Sequence, residues 1–428
     1  MGLILKELIK RILINKFFHS VGLYTVAGVV GKAMPFFLLP IMTRYLTPTG
    51  YGIVAMFGVL VGFFSPFIGL SINGAITRQY FEKKVDISIY TTNCIYILIC
   101  STVIVSFIIY LLSEHISAIS SFPIEWLWAV IAVSFFSFIV EIVLIFWRVC
   151  VKPIYYSVFT ILHTALNVSL SIWLVVVLNY GWEGRILALL YSMILFAIIA
   201  IMVLWKEKWI KFSFNKSYIK NALTFGVPLI PHIFGSKAIT MTDRFLITNM
   251  IGLADTGIYS VGYQIGSIIS LLATSFVFAW SPWFYGKLKE NSLESKYQII
   301  KYTYFYFSAI ISFALIFSLC APILLKFLVG DAFLASIKYV PWIAMGYAFN
   351  GMYYVVSGYI FYLQKTYYLS LMTFFSVFLN FGVTYLFILK YGTIGAAQAT
   401  FISYVVKFLL TWAIAFRLYK MPWKIWKR

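Results

Sequence analysis

Apolar runs of about 20 residues, the length that the hydrocarbon core of a bilayer demands of a helix, recur along the whole sequence. They fall near residues 18–43, 51–76, 91–112, 124–147, 155–178 and 184–205, and again near 221–248, 257–280, 303–328, 337–362, 367–388 and 394–417. Twelve such runs cannot be gathered into one water-facing globule, because 62% of the residues are hydrophobic and only 11% are charged. Backbone groups in lipid must also be satisfied within the segment itself. The sequence therefore predicts an all-α integral membrane protein of about 12 transmembrane helices.

A net charge of +20 raises nucleic acid as a partner, but in a membrane protein the positive-inside rule is tested first. With the N-terminus in the cytoplasm, the inner segments hold 24 of the 33 basic residues, from Lys6 through Arg148, Lys206 and Lys365 to Arg428. The outer segments hold only Arg44, Arg185, Lys326, Lys338 and Lys390. The basic charge is thus an orientation signal, nucleic acid is set aside, and both termini are predicted to be cytoplasmic. The opening MGLILKELIKRILINKFF reads as an amphipathic lead-in on the membrane surface. The four cysteines lie in or beside apolar runs without paired spacing, so no disulfide or metal framework is implied.

Six spans precede and six follow the inner segment KEKWIKFSFNKSYIK. Both sets start and end inside, which makes them parallel repeats about an axis along the membrane normal. Fragments agree: Arg44-Tyr45-Leu46 recurs as Arg244-Phe245-Leu246, and Leu46-Thr47-Pro48-Thr49-Gly50 as Leu253-Ala254-Asp255-Thr256-Gly257. The expected domains are an N-terminal bundle over 1–205, a cytoplasmic linker over 206–220 and a C-terminal bundle with a basic tail over 221–428.

Pro35 and Pro40 in the first span correspond to Pro228 and Pro231 in the seventh. Proline frees a helical carbonyl, and membrane repeats place broken helices of this kind at a midplane site; hinges and packing kinks are the two readings. Lys32 and Lys237 lie near the middles of these spans. A charge at that depth costs at least about 2.5–3.5 kcal/mol if it faces lipid, so both are candidates for a central cavity, along with Lys407 in the twelfth span and Arg78 at the cytoplasmic mouth. Asp243 and Arg244, with Arg44 and Arg148, are candidates for gating or for pairing between the halves. Glu141 shares a helix face with Arg148, and His163 shares one with Asn167. Glu141 and His163 are the candidates for carrying a proton or another coupling ion, against the plainer role of polar contacts between helices.

Among the aromatic residues, Trp126, Trp128, Trp205, Trp209, Trp280 and Trp283 at span ends fit interfacial belts, and others have the ring faces that stack on sugars. The sequence carries no Walker loop, glycine-rich nucleotide motif, metal-ligand cluster or carboxylate pair in a soluble domain. This argues against an ATP-driven pump and against an enzyme.

At LTFGVPLIPHIFGSKAITMTDRFLI followed by LADTGIYSVGYQIG, and at RYLTPTGYGIVAM and GLSINGAITRQYFEK, the chain resembles the Wzx-type oligosaccharide flippases of polysaccharide biosynthesis. These belong to the multidrug/oligosaccharidyl-lipid/polysaccharide exporter superfamily, with the lipid II flippase and the multidrug and toxin extruders. The resemblance implies two six-helix bundles related by a pseudo-twofold axis and facing each other in a V, the MATE-like architecture. It implies alternating access and a polyprenyl-diphosphate-linked oligosaccharide, the repeat unit of O-antigen lipopolysaccharide or a similar surface polysaccharide, crossing the bacterial inner membrane. The implied partners are that substrate, membrane lipids and the polysaccharide polymerase or assembly machinery, with no cofactor beyond a coupling H+ or Na+. A small-molecule extruder on the same fold is the competing reading, followed by a membrane polymerase or ligase, which the short outer loops disfavour.

Overall fold

The computed structural model describes residues 28, 30–31, 34–82, 85–365 and 367–423, without the side chains of His232 and Ser236. Among these residues the secondary structure is helical: α1 over residues 34–45, α2 Pro48–Gly69, α3 Ile72–Glu82, α4 Ile87–Leu111, α5 Ser113–Ser120, α6 Leu127–Val149, α7 Pro153–Ile172, α8 Gly181–Lys206, α9 Lys216–Gly226, α10 Ile230–Met250, α11 Leu253–Gly266, α12 Ile268–Glu290, α13 Leu293–Leu328, α14 Val340–Tyr362, α15 Tyr367–Tyr391 and α16 Thr393–Leu418. Nine stretches of the described residues are long and apolar enough to cross a membrane, with α11 and α12 counting as one. The seventh span is shared between α9 and α10, α14 is a tyrosine-rich helix of span length, and the first span lies mostly outside the described residues. The twelve-span reading fits this inventory.

The helices begin where the sequence supplies caps. Asp86 accepts hydrogen bonds from Ser88 N (3.0 Å) and Ile89 N (3.3 Å) at the start of α4, and Ser292 accepts from Ser295 N (3.1 Å) at the start of α13. Pro153 opens α7, where its missing N–H leaves no helical bond unmade. Within the helices, hydroxyls are hidden from lipid by donating to the carbonyl four residues back, as with Thr43 to Leu39 O (2.8 Å), Ser134 to Val130 O (2.7 Å) and Ser376 to Met372 O (2.6 Å).

The chain forms two compact units. The first holds the described residues up to Tyr45 together with Phe57–Ile233; the second holds Leu46–Met56 and the residues from Phe234 onward. Segment 206–220 lies inside the first unit.

The first unit packs Ile68, Ile72, Leu98, Val143, Phe146 and Ile186, all fully buried. Gly69 permits a close crossing: a Cβ there would fall 1.8 Å from the Phe138 ring. After α7 a π-helical turn, Trp173–Val177, widens the helix. The helix α9 is tied back by Gln79 Nε2 and Tyr90 OH, which both donate to Asn221 Oδ1 (3.1 and 3.0 Å), and by Gly226, whose α-carbon lies against Leu70 O.

The second unit has an aromatic core over α12, α13, α14 and α16, around Ile269, Phe284, Ile310, Val355 and Phe408. A smaller core gathers Leu246, Ile247, Tyr259, Tyr339 and Ala396. Here the start of α2 is laid against the start of α11 through two glycines: a Cβ on Gly52 would sit 2.0 Å from Leu253 O, and one on Gly257 2.0 Å from Pro48 O. Tyr51 OH, beside them, donates to Gln264 Oε1 (3.0 Å).

Proline behaves differently in the first and seventh spans. Residues 34–45 are helical across Pro35 and Pro40. In the seventh span Pro228 lies in a 3-10 turn, Val227–Leu229, that interrupts the α-helix, and Pro231 falls in the first turn of α10. The interruption expected in both halves is thus seen only at Pro228 among the described residues.

Candidate functional site

In α10 the sequence places two charges side by side, and consecutive helical residues point to different faces. Asp243 turns inward and has no exposed surface. Its oxygens are met by hydroxyls from three other helices of the same unit: Tyr259 OH of α11 donates to Oδ2 (2.7 Å), Thr400 Oγ1 of α16 donates to Oδ2, and Thr384 Oγ1 of α15 donates to Oδ1 (3.4 Å). Thr384 and Thr400 are also fully buried. Unlike the threonines that satisfy themselves on the carbonyl four residues back, these two are turned onto the carboxylate. One turn before Thr384, Asn380 donates to Ser403 Oγ (3.3 Å) while its Oδ1 is buried with no hydrogen-bond partner.

Arg244 takes the adjacent face. Its Nε donates to Ser260 Oγ (3.0 Å), its Nη1 donates to Thr240 O (2.9 Å), and its guanidinium lies 4.7 Å from the centre of the Tyr263 ring. It forms no ion pair with Asp243. Beyond it, tyrosines follow one another: Tyr263 and Tyr347 share a hydroxyl hydrogen bond of 2.7 Å, and the Tyr347 and Tyr404 rings are 5.5 Å apart. Lys407, one turn after Tyr404, places Nζ 3.9 Å from the centre of the Tyr353 ring. Among the described residues no carboxylate lies within ion-pair distance of it. Cation–π contact substitutes in part for water around both cations.

The other predicted residues separate from this cluster. Lys237 is exposed on α10, two turns before Asp243. Lys32 lies outside the described residues. Arg78, in the first unit, pairs with Glu82 (2.7 Å) and lies over the Phe225 ring at 5.5 Å, so its charge is partly met within the protein. Arg44 is exposed at the end of α1. Glu141 and Arg148 do share a face, and they meet in an ion pair of 2.7 Å, with 41% and 51% of their side chains exposed. His163 packs its ring 4.9 Å from that of Phe196 and leaves Nε2 without a hydrogen-bond partner.

The first unit has a polar cluster of its own, which no sequence motif announced. Arg185 Nη1 donates to Asn167 Oδ1 (2.9 Å) and Ser171 Oγ (2.9 Å), and Asn167 Nδ2 donates to Ser192 Oγ (2.8 Å). It abuts the π-helical turn, because Ser171 and Gly184 flank Trp173–Val177 in space.

The residues that sequence reading missed are the hydroxyls around Asp243. Each is an ordinary threonine or tyrosine of an apolar helix, from 16 to 157 positions away in sequence. Chemically, the group offers a carboxylate and hydroxyl oxygens, the hard donors suited to a proton or an alkali cation. Among the described residues no three His, Cys, Asp or Glu side chains cluster as a metal site.

Comparison with known proteins places the chain. An Lsg locus protein of Haemophilus influenzae is 26% identical over 361 residues, covering 82% of this chain and 86% of that protein. In fold, the chain is similar to a multidrug resistance MATE family transporter of the MOP superfamily in an inward-facing conformation, with a TM-score of 0.73 at 13% identity over 90% of this chain and 93% of that one. It is similarly close to the lipid II flippase MurJ in an inward closed conformation, with a TM-score of 0.72 at 16% identity over 91% and 86% of the two chains. The model of the family described as polysaccharide biosynthesis protein matches residues 17–286, well over half of the sequence, and the chain belongs to that family.

Proposed function

We propose that this chain is a flippase that moves polyprenyl-diphosphate-linked oligosaccharide repeat units, of O-antigen or a similar surface polysaccharide, from the cytoplasmic to the outer leaflet of a bacterial inner membrane by alternating access. The observation that carries the reading is the run of half-buried cations and tyrosines in the second unit: Arg244 on Tyr263, then Lys407 on Tyr353. A diphosphate crossing a low-dielectric path needs fixed positive charge beside it, and sugar rings need aromatic faces. Lys237, exposed in the middle of a membrane-length span, needs water around it for the same reason and extends the path. The lipid tail stays in the bilayer while the head group crosses. With the cell interior negative, outward movement of each negative charge is favoured by about 2.3 kcal/mol per 100 mV.

In this reading Asp243, Tyr259, Thr384 and Thr400 hold the coupling cation, H+ or Na+, and Pro228 is the hinge of the seventh span. The excess of lysine and arginine in alternate loops supports cytoplasmic termini.

The test is transport of a fluorescent polyprenyl-diphosphate oligosaccharide in proteoliposomes, comparing the native chain with Lys407→Ala and Lys237→Ala. Flipping by the native chain, lost in either variant at unchanged helical content and melting temperature, supports the proposal. The competing reading, efflux of small organic cations, is favoured by the fold likeness to a multidrug transporter and by the buried carboxylate. Efflux of such cations in the absence of any flipping would establish it instead.

A further inference from the structure

Between α8 and α9 the chain runs from Glu207 to Asn215 without forming a helix. This strap is fastened at several points to the start of α4. Ser88 Oγ donates to Lys208 O (2.7 Å), Lys211 N donates to Thr92 Oγ1 (3.0 Å), Asn93 Nδ2 donates to Ser213 O (2.9 Å), and Asn215 N donates to Asn93 Oδ1 (2.9 Å). Several of the strap's backbone polar groups are therefore answered by α4. The side chains left outside are of two kinds.

Phe212 and Phe214 are 68% and 72% exposed, and Trp205, at the end of α8, is 63% exposed. The Trp205 and Phe212 rings meet edge to face at 5.8 Å, which makes them a single apolar prominence. Around them Lys206, Lys208, Lys211 and Lys216 are exposed. The only acid in residues 205–220 is Glu207, and it is bound by Lys152 at 2.9 Å. That hydrogen bond holds the Lys152 ammonium above its ordinary pKa, and the ammonium offsets the one acid of the strap.

The strap also has a definite level. α4 begins and α8 ends beside it, and both are membrane-length helices. At such a boundary, rings settle among glycerol groups and upper acyl chains, and lysines reach the phosphates. A backbone fixed by hydrogen bonds presents both groups without further ordering. We propose that residues 205–220 form a binding surface for the acidic phospholipids of the surrounding leaflet, with Trp205, Phe212 and Phe214 inserted between the lipids and Lys208, Lys211 and Lys216 on the headgroup phosphates. A soluble acidic partner would match the lysines, but it would leave the rings at the wrong level.

This inference stands apart from the transport reading, and its test measures binding alone. The purified full chain is titrated with phosphatidylglycerol and, separately, with phosphatidylethanolamine, and bound lipid is counted by native mass spectrometry. Lysine contributions near an acidic surface correspond to about fivefold in affinity each, so Lys208→Gln/Lys211→Gln/Lys216→Gln should lose about a hundredfold in phosphatidylglycerol affinity. Phe212→Ser/Phe214→Ser should weaken both lipids. Neither variant touches the side chains of Ser88, Thr92 or Asn93, and matched melting temperatures verify folding. In the native chain, raising salt from about 0.1 M to about 1 M, which shortens the screening length from about 10 Å to about 3 Å, should reduce phosphatidylglycerol binding more than phosphatidylethanolamine binding. Unchanged phosphatidylglycerol affinity in the lysine variant, or salt-independent binding, overturns the proposal. So does displacement by inorganic diphosphate alone, which would assign the lysines to a soluble phosphate.

Discussion

Around Arg185 in the first unit, donors and acceptors close on one another: Asn167 and Ser171 accept from the guanidinium, Asn167 donates to Ser192, and both serines also donate to carbonyls of their own helices. Around Asp243 in the second unit, three hydroxyls from three helices leave their own backbones to donate to one carboxylate, and Asn380 Oδ1 beside them has no partner. The first arrangement resembles a fastener, with its hydrogen bonds closed. The second gathers hydroxyls of three helices onto one buried carboxylate. In a medium where an unsatisfied polar group costs several kcal/mol, the first cluster is satisfied within itself and the second keeps an acceptor unmet.

The comparison can be broken most directly at its centre. Asp243→Asn should reduce transport about a hundredfold, a loss of about 2.7 kcal/mol of transition-state stabilisation, while Arg185→Gln leaves the rate per folded molecule within about twofold; proteoliposome assays normalised to folded protein decide, and equal losses would erase the distinction. Next in size, Lys407→Met should lower transport about tenfold, or about 1.4 kcal/mol. Its melting temperature should hold or rise, because a half-buried charge with no carboxylate partner among the described residues gives way to an apolar chain of similar length. Arg185→Ala should act on stability instead, costing about 1–3 kcal/mol as Asn167 Oδ1 and Ser171 Oγ lose their donor, read by thermal unfolding in detergent. The smallest effect is expected at Glu141→Gln, because an exposed ion pair contributes about 0–1 kcal/mol. Transport by that variant should match the native rate, and a clear loss would restore Glu141 as a proton carrier.

Much of the scaffold was legible in the sequence, because lipid leaves few options: an apolar run of span length becomes a helix. The face shared by Glu141 and Arg148 followed from spacing alone. What spacing could not supply was enclosure. Glu141 is a proton-carrier candidate by its place in an apolar helix, yet the side chain opens outward onto Arg148. Adjacency sends Asp243 and Arg244 to different faces of α10, but it does not say which groups meet each of them. Thr384 and Thr400 resembled the many hydroxyls that satisfy themselves on the preceding turn, and only the convergence of α10, α11, α15 and α16 distinguishes them. Pro40 carried the same local signal as Pro228, but only at Pro228 does the chain leave the α-helix.

The glycine-lined apposition of Pro48–Gly52 with Leu253–Gly257 has a consequence for how the chain can be cut and recombined. Because Leu46–Met56 belongs with the second unit while the sequence on both sides of it belongs with the first, neither unit is a contiguous cassette. Separating the gene at codons 206–220 would deprive the second fragment of a segment that its glycines are shaped to receive, and would leave the first fragment carrying that segment with nothing to cover it. Chimaeras of related chains should therefore tolerate exchange best when residues 46–56 travel with the C-terminal portion, so the natural unit of recombination here is a discontinuous one.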